Sequence, residues 1–146
     1  MMSIPKKILI VDDDVDFVAV LESRLKLAGY QVTVVHTGRE ASEIVKMLYP
    51  DLILLELGLP DLPGDITALR IKSENGNRFI PMIALTSHDD LLSRLTTWEM
   101  GFVDHIAKPY EPEDLFNRIE KTFAETPPAI LHKETTHEKT EKDPDR

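Results

Sequence analysis

Several short apolar runs in this 146-residue sequence are followed directly by side chains that could bind a cation or a phosphoryl group. They are the acids Asp12, Asp13, Asp14 and Glu56, the hydroxyls of Thr86 and Ser87, and the ammonium of Lys108. Clustered carboxylates repel one another and need a cation, and magnesium suits oxygen ligands at a site that keeps several waters. A lysine and a hydroxyl facing that cation would bind phosphoryl oxygens. The residue types therefore indicate metal and phosphate chemistry.

These residues can meet only if the apolar runs before them are strands of one sheet. Runs rich in isoleucine, valine and leucine predict five strands, at residues 8–11, 32–35, 52–55, 80–85 and 102–106. Unbroken apolar strands are typical of a parallel sheet that is covered on both faces. Ligands of such sheets bind beyond the carboxyl ends of the strands, where the candidate residues stand.

Segments of helical period separate the predicted strands. Apolar residues recur at helical spacing from Phe17 to Ala28, and Gly29 follows where a helix favours a left-handed residue. Similar patterns predict further helices around residues 41–48, 66–75, 91–98 and 115–123. Strict alternation with right-handed crossovers predicts an α/β, flavodoxin-like doubly wound (βα)5 fold. We expect a parallel five-stranded sheet in the order 2-1-3-4-5.

Composition limits the compartment and the partners. The chain is 42% hydrophobic and 29% charged and has no cysteine, which excludes disulfide and thiolate chemistry and indicates a reducing compartment. No apolar run approaches the roughly 20 residues of a membrane helix, and no signal peptide is visible. A net charge of −9 disfavours binding to a phosphate backbone. We therefore expect a cytoplasmic protein with no membrane partner and no nucleic-acid partner.

The composition changes near residue 125. Two adjacent prolines are followed by charged and threonine-rich sequence with little apolar content, which is typical of disorder. The predicted organisation is a folded domain over residues 1–124 and a disordered charged tail over residues 125–146.

Four motifs, in this order and at these spacings, resemble the receiver domain of bacterial two-component response regulators, of the chemotaxis-regulator kind. They are ILIVDDD at residues 8–14, DLILLELGLP at 51–60, PMIALTS at 81–87 and GFVDHIAKPY at 101–110. The resemblance covers about residues 6–124. It implies a domain that is not an enzyme and that acts in phosphorelay signal transduction. The implied partners are a histidine kinase or phosphotransfer protein and a downstream protein.

The resemblance also implies a weak magnesium site. Asp13 resembles the acid that binds the metal directly, and Asp12 resembles the acid that holds metal-bound water. The carbonyl of Gly58 would be the main-chain ligand.

The same resemblance assigns the phosphoryl-binding residues. Thr86 resembles the switch hydroxyl, and the amide of Ser87 would assist it. Lys108 resembles the lysine that pairs with the phosphoryl group, and the Lys108–Pro109 bond would be cis. His105 stands at the switch-aromatic position, three residues before that lysine.

Glu56 departs from the family, which has the phosphorylated aspartate at this position. Glu56 could permanently mimic the phosphorylated state, because its carboxylate reaches one methylene further toward Thr86 and Lys108. It could instead mark a ligand-free pseudo-receiver that serves only for docking. It could also still accept phosphate, at a rate reduced by misplacement of the attacking oxygen.

The predicted function is a stand-alone receiver domain that signals by protein–protein contact. The resemblance points to the face formed by the predicted fourth helix, fifth strand and fifth helix, and a homodimer is left open. The nearby aromatic and histidine residues are Trp98, Phe102, His105 and Tyr110. An alternative is a haloacid-dehalogenase-like phosphatase, whose motifs overlap in order. That class needs an acidic pair ending a later strand, whereas Glu111, Glu113 and Asp114 open a predicted helix.

Overall fold

The computed structural model describes residues 4–76, 78–87 and 100–125. The strands of this part are β1 (Lys7–Val11), β2 (Gln31–Val35), β3 (Leu52–Glu56), β4 (Met82–Thr86) and β5 (Asp104–Ala107). Its helices are α1 (Val15–Leu27), α2 (Gly38–Leu48), α3 (Gly64–Glu74) and α4 (Pro112–Glu125). Every strand pairing is parallel, in the order β2-β1-β3-β4-β5. The predicted flavodoxin-like α/β fold and strand order are confirmed.

The central strands are buried on both faces, as their unbroken apolar sequences predict. Every residue of β3 and β4 is buried. Alternate side chains enter two separate clusters because successive residues of a strand point to opposite faces. Leu9, Ile53 and Met82 pack in a cluster with residues of α2 and α3, while Ile8 and Ile83 pack with residues of α1 and α4.

Local signals end α1 where the sequence predicts. The Asp14 carboxylate accepts a hydrogen bond from the Phe17 N–H at 3.1 Å, which caps the first turn. Gly29 follows the helix with a φ of 101°, a conformation that side chains with a Cβ rarely adopt. Its N–H donates to the Lys26 carbonyl, while the N–H of Tyr30 donates to the Leu25 carbonyl. Asp14 therefore serves α1 as a cap, next to the acids that could bind a ligand.

Two predicted segments fall outside the described residues. They are the predicted helix around residues 91–98, which includes Trp98, and the tail from residue 126 onward. The boundary after residue 124 and the disordered tail stay predictions. No helix in the described ranges is long and apolar enough to cross a membrane.

Candidate functional site

The carboxyl ends of four adjacent strands bring the candidate residues to one edge of the sheet. Asp12 directly follows β1, Glu56 ends β3, Thr86 ends β4 and Lys108 directly follows β5. The Lys108 N–H donates to the Thr86 carbonyl at 2.7 Å, which continues the pairing of the last two strands. β2 lies at the far edge of the sheet, beside β1. The parallel topology therefore gathers residues that are up to 96 positions apart in sequence.

Lys108 bridges the two buried acids of the site. Its Nζ lies 2.7 Å from Oδ2 of Asp12 and 2.7 Å from Oε1 of Glu56. Asp12 is fully buried, and the side chain of Glu56 is 8% exposed. Two carboxylates removed from water would strongly destabilise the fold if they were unpaired. The ammonium therefore acts as the cation of this site.

Backbone amides occupy the remaining carboxylate oxygens of the bridge. Oδ1 of Asp12 accepts a hydrogen bond from the Asp14 N–H at 3.0 Å. Oε2 of Glu56 accepts from the Gly58 N–H at 2.8 Å. Each acid thus has one oxygen on Lys108 and one on the loop that follows its own strand. This arrangement orients both carboxylates and ties the two loops to the lysine.

Burial and the opposite charges shift the pKa values of the bridged groups. Burial raises the pKa of the Asp12 carboxyl, although hydrogen bonds from Lys108 and the Asp14 N–H act in the opposite direction. Burial alone would lower the pKa of Lys108, but its hydrogen bonds to Asp12 and Glu56 outweigh burial and raise that pKa. Lys108 therefore remains an ammonium at neutral pH.

The predicted magnesium ligands lie around the bridge. Asp13 is exposed beside the buried Asp12, and Gly58, whose carbonyl is the predicted main-chain ligand, is also exposed. The described residues include no group of three or more acidic or histidine side chains arranged to hold a metal. An ion bound through Asp12, Asp13 and Gly58 would keep several waters, as magnesium does. Bound magnesium would neutralise acidic charge and present positions for further oxygen ligands.

The other predicted site residues lie around the bridge. Thr86 is buried at the end of β4, and Ser87 follows it in an exposed position. His105 is partly buried on β5, where its carbonyl accepts a hydrogen bond from Arg118 at 3.2 Å. The Lys108–Pro109 peptide bond is cis, as predicted. The structure therefore joins Asp12, Glu56 and Lys108 by direct contacts and sets Thr86 beside them on the neighbouring strand.

Sequence reasoning missed an aromatic pair beside the lysine. The ring of Phe17 in α1 lies 4.7 Å from Nζ of Lys108. Tyr110 packs edge-on against Phe17, with 5.5 Å between ring centroids. Burial raises the pKa of the Tyr110 phenol, and the charges of Asp12 and Glu56 raise it further. Phe17 fits the apolar stripe of α1, so its sequence signal does not distinguish a core residue from a site residue.

A second missed residue fixes the loop between β3 and α3. The carboxylate of Asp61 accepts hydrogen bonds from the N–H groups of Gly38 and Arg39 at the start of α2, at 2.9 and 3.0 Å. Backbone hydrogen bonds to the carboxylate hold the pKa of Asp61 below its usual value, although burial acts against them. Asp61 therefore links the loop that carries Gly58 to a neighbouring helix. No local sequence signal reveals a partner 23 positions away.

Two of the residues expected near a protein-contact face, Phe102 and Tyr110, pack in different hydrophobic clusters. Phe102 is 6% exposed and packs in the cluster with α2 and α3. Tyr110 packs with the cluster on the opposite side of the sheet. Phe102 is therefore a core residue, and the expectation that it belongs to an exposed contact face is wrong.

The fold and the geometry of the site agree with the comparison to known families. The family model of the response regulator receiver domain matches residues 8–120. The chain therefore belongs to the response regulator receiver domain family, whose members are signalling modules in two-component systems.

Relatives and solved structures show the same similarity. The chain is 34% identical over 132 residues to a probable transcriptional regulator, ycf27, of Cyanophora paradoxa, covering 90% of this chain and 54% of the relative. It is 32% identical to the DNA-binding response regulator MtrA of Mycolicibacterium paratuberculosis, covering 78% and 49%. A similar structure is the receiver domain of the sensor histidine kinase PA1611 from Pseudomonas aeruginosa, with magnesium in its active-site cleft. That match has 32% identity and a TM-score of 0.72, and covers 81% of this chain and 97% of the other.

The prediction that nucleic acid is not a partner is wrong. The relatives named above are a transcriptional regulator and a DNA-binding response regulator. The prediction rested on the net charge of this chain, which bears only on direct contact between these 146 residues and phosphate groups. The chain spans about half the length of the curated relatives it matches, so its charge does not describe the partners of a longer regulator.

Membership of the receiver domain family is relevant to two predictions, the absence of enzyme activity and the binding of magnesium. Receiver domains are signalling modules, which argues against the haloacid-dehalogenase alternative, and they typically bind magnesium. Glu113 and Asp114 lie in the first turn of α4 rather than at the end of a strand. Two statements about this particular chain stay predictions. One is that it is not an enzyme, and the other is that it binds magnesium.

Proposed function

We propose that this receiver domain permanently holds a state resembling the phosphorylated one, with Glu56 as the acidic partner of Lys108. The observation that carries the proposal is the 2.7 Å contact between Nζ of Lys108 and Oε1 of Glu56. Hydrogen bonds between charged groups are stronger than neutral ones, contributing about 1.5–3 kcal/mol. The domain would then signal by protein contact without first being phosphorylated.

The length of the glutamate side chain supports this role. One oxygen reaches Lys108 while the other stays on the Gly58 N–H, so the carboxylate connects β5 to the loop after β3. A glutamate carries one negative charge, against about −1.5 to −2 for a phosphoryl group. The mimicry is therefore partial, and the state depends on how firmly the neighbouring residues hold Lys108.

Amide hydrogen exchange tests the proposal. Glu56→Gln keeps the shape of the side chain and removes its charge, so it should weaken the link to Lys108. We expect amides of β4 and β5 to exchange about 10–100-fold faster in this variant, as loss of a charge-assisted hydrogen bond implies. Wild type and variant are measured with and without magnesium.

Glu74→Gln is the matched control for that experiment. Glu74 pairs with Lys46 at 3.3 Å on the surface, where an ion pair contributes little. The amides of β4 and β5 in Glu74→Gln should exchange at the wild-type rate. Equal exchange in wild type and Glu56→Gln under both conditions would overturn the proposal and favour a ligand-free docking module.

We also propose a weak magnesium site formed by Asp12, Asp13 and the Gly58 carbonyl. In titration calorimetry, Asp13→Ala should weaken magnesium binding at least about tenfold, since even indirect metal-site changes have effects of this size. Asp16→Ala is the control, because Asp16 is an exposed acid in the first turn of α1. Equal heats for wild type and Asp13→Ala would exclude this site.

We also propose transcriptional control as the output that this receiver domain serves. The names of the ycf27 and MtrA relatives support this proposal. Protein contact would carry the signal from the receiver domain to a module that acts on DNA.

A further inference from the structure

The ammonium of Lys108 has three donors, and the site provides a partner for each. Oδ2 of Asp12 and Oε1 of Glu56 each lie 2.7 Å from Nζ. The Phe17 ring centroid lies 4.7 Å from the same atom, within the range of a cation–π interaction. The lysine side chain is 17% exposed, so water competes weakly for its third side.

Phe17 makes two further contacts, one through its backbone and one through its ring. The Phe17 N–H donates to the capping carboxylate of Asp14, which fixes the first turn of α1. The Tyr110 ring meets Phe17 at an interplanar angle of 81°, the edge-to-face geometry that aromatic pairs favour. The Tyr110 ring therefore packs against the ring whose face lies beside Lys108.

We propose that Phe17 is a positioning residue of this site, whose ring face holds the Lys108 ammonium in the bridge between Asp12 and Glu56. The inference rests on the proposed function, because it adds a contact that keeps Lys108 beside Glu56, whose one negative charge is smaller than that of a phosphoryl group. A lysine ammonium stands on a flexible four-carbon stem, so each further contact around Nζ restricts how far the group can move toward solvent. The π face of Phe17 supplies such a contact on the third side.

The test compares how fast Lys108 reacts with formaldehyde and a borohydride, measured by mass spectrometry of the methylated lysine. Phe17→Leu keeps an apolar side chain and removes the π face, whereas Phe17→Tyr keeps the π face. We expect Lys108 to react about fivefold faster in Phe17→Leu and at the wild-type rate in Phe17→Tyr, a factor that corresponds to a partly desolvated cation–π contact. Lys26, an exposed lysine paired with Glu22, is the internal standard in each sample.

Two further variants separate packing from electrostatics. Phe17→pentafluorophenylalanine keeps the shape of the ring and reverses the charge distribution of its face, so it should behave like Phe17→Leu. Tyr110→Phe keeps the ring edge against Phe17 and should leave the Lys108 rate unchanged. Wild-type rates in both Phe17→Leu and the fluorinated variant would overturn the inference. Equal acceleration in Phe17→Leu and Phe17→Tyr would also overturn it, because shape alone would then matter.

Glu56→Gln in the same assay distinguishes this inference from the proposed function. Acceleration in Glu56→Gln together with no change in Phe17→Leu refutes the role of Phe17 and leaves the role of Glu56 intact. Acceleration in Phe17→Leu together with no change in Glu56→Gln supports Phe17 as the positioning residue and contradicts the proposed partnership of Glu56 and Lys108.

Discussion

Replacement of Lys108 with methionine is expected to lower the free energy of unfolding by about 3–5 kcal/mol, the range for breaking a buried ion pair by removing one partner. The methionine fills much of the same space but leaves the buried carboxylates of Asp12 and Glu56 without their shared cation. Urea unfolding followed by circular dichroism measures the change. A loss smaller than about 1 kcal/mol would show that the bridge does not stabilise the fold, since surface pairs contribute that much or less.

Two further variants test whether the stability lost in Lys108→Met comes from the unpaired buried carboxylates. Adding Glu56→Gln to Lys108→Met removes one of the two unpaired carboxylates, so the double variant should recover part of the lost stability. Lys46→Met is the surface control, because Lys46 is about half exposed and pairs only with Glu74 among the contacts described. Its effect should stay within about 0.5 kcal/mol, as is usual for surface substitutions.

Acetyl phosphate is expected to leave the wild-type protein unlabelled and to label Glu56→Asp. The shorter aspartate cannot keep both the Lys108 and the Gly58 contacts that Glu56 makes, and it withdraws its carboxylate toward β3. We expect this withdrawal to place the oxygen for attack on the phosphoryl group, since a misplacement of about 1 Å can change a rate on the order of 100-fold. Radiolabelled acetyl phosphate and intact-mass measurement give the extent of labelling.

The combination Glu56→Asp with Asp13→Ala is the control for labelling. It restores the acceptor and removes the predicted direct ligand of magnesium, so its labelling should fall to the wild-type level. Alkaline treatment should release the label from Glu56→Asp, because acyl phosphates hydrolyse in base. Labelling of wild type at a rate similar to that of Glu56→Asp would favour the hypothesis that Glu56 still accepts phosphate.

The sequence by itself indicated the strands and the helices of the described part, whereas the order of the sheet was an expectation from the doubly wound fold class that the structure confirmed. Hydrophobic period is a local property, and the runs before Asp12 and Glu56 are too apolar and too short for other elements. Parallel strands must present their carboxyl ends at one edge, so the location of the candidate residues followed from topology. Gly29 ended its helix as predicted because only the backbone conformation matters there.

The partners of each side chain were decided by the tertiary structure. Asp12 and Asp14 are the same residue type, two positions apart. Asp14 caps α1, whereas Asp12 is buried against Lys108. The sequence position of Phe102 suggests a contact residue, but its side chain packs in the core. The partner of each side chain depends on the face of the helix or strand from which it projects and on the element packed against that face.

The same holds for the contacts that form the site. The cation of the acidic cluster is Lys108, and its third partner is the ring of Phe17, which the sequence marks only as an apolar residue of α1. Asp61 joins its loop to α2 through backbone donors, which carry no sequence signal. Hydrogen bonds and ring contacts need atoms placed within a few tenths of an ångström, and only the packing of distant elements sets such positions.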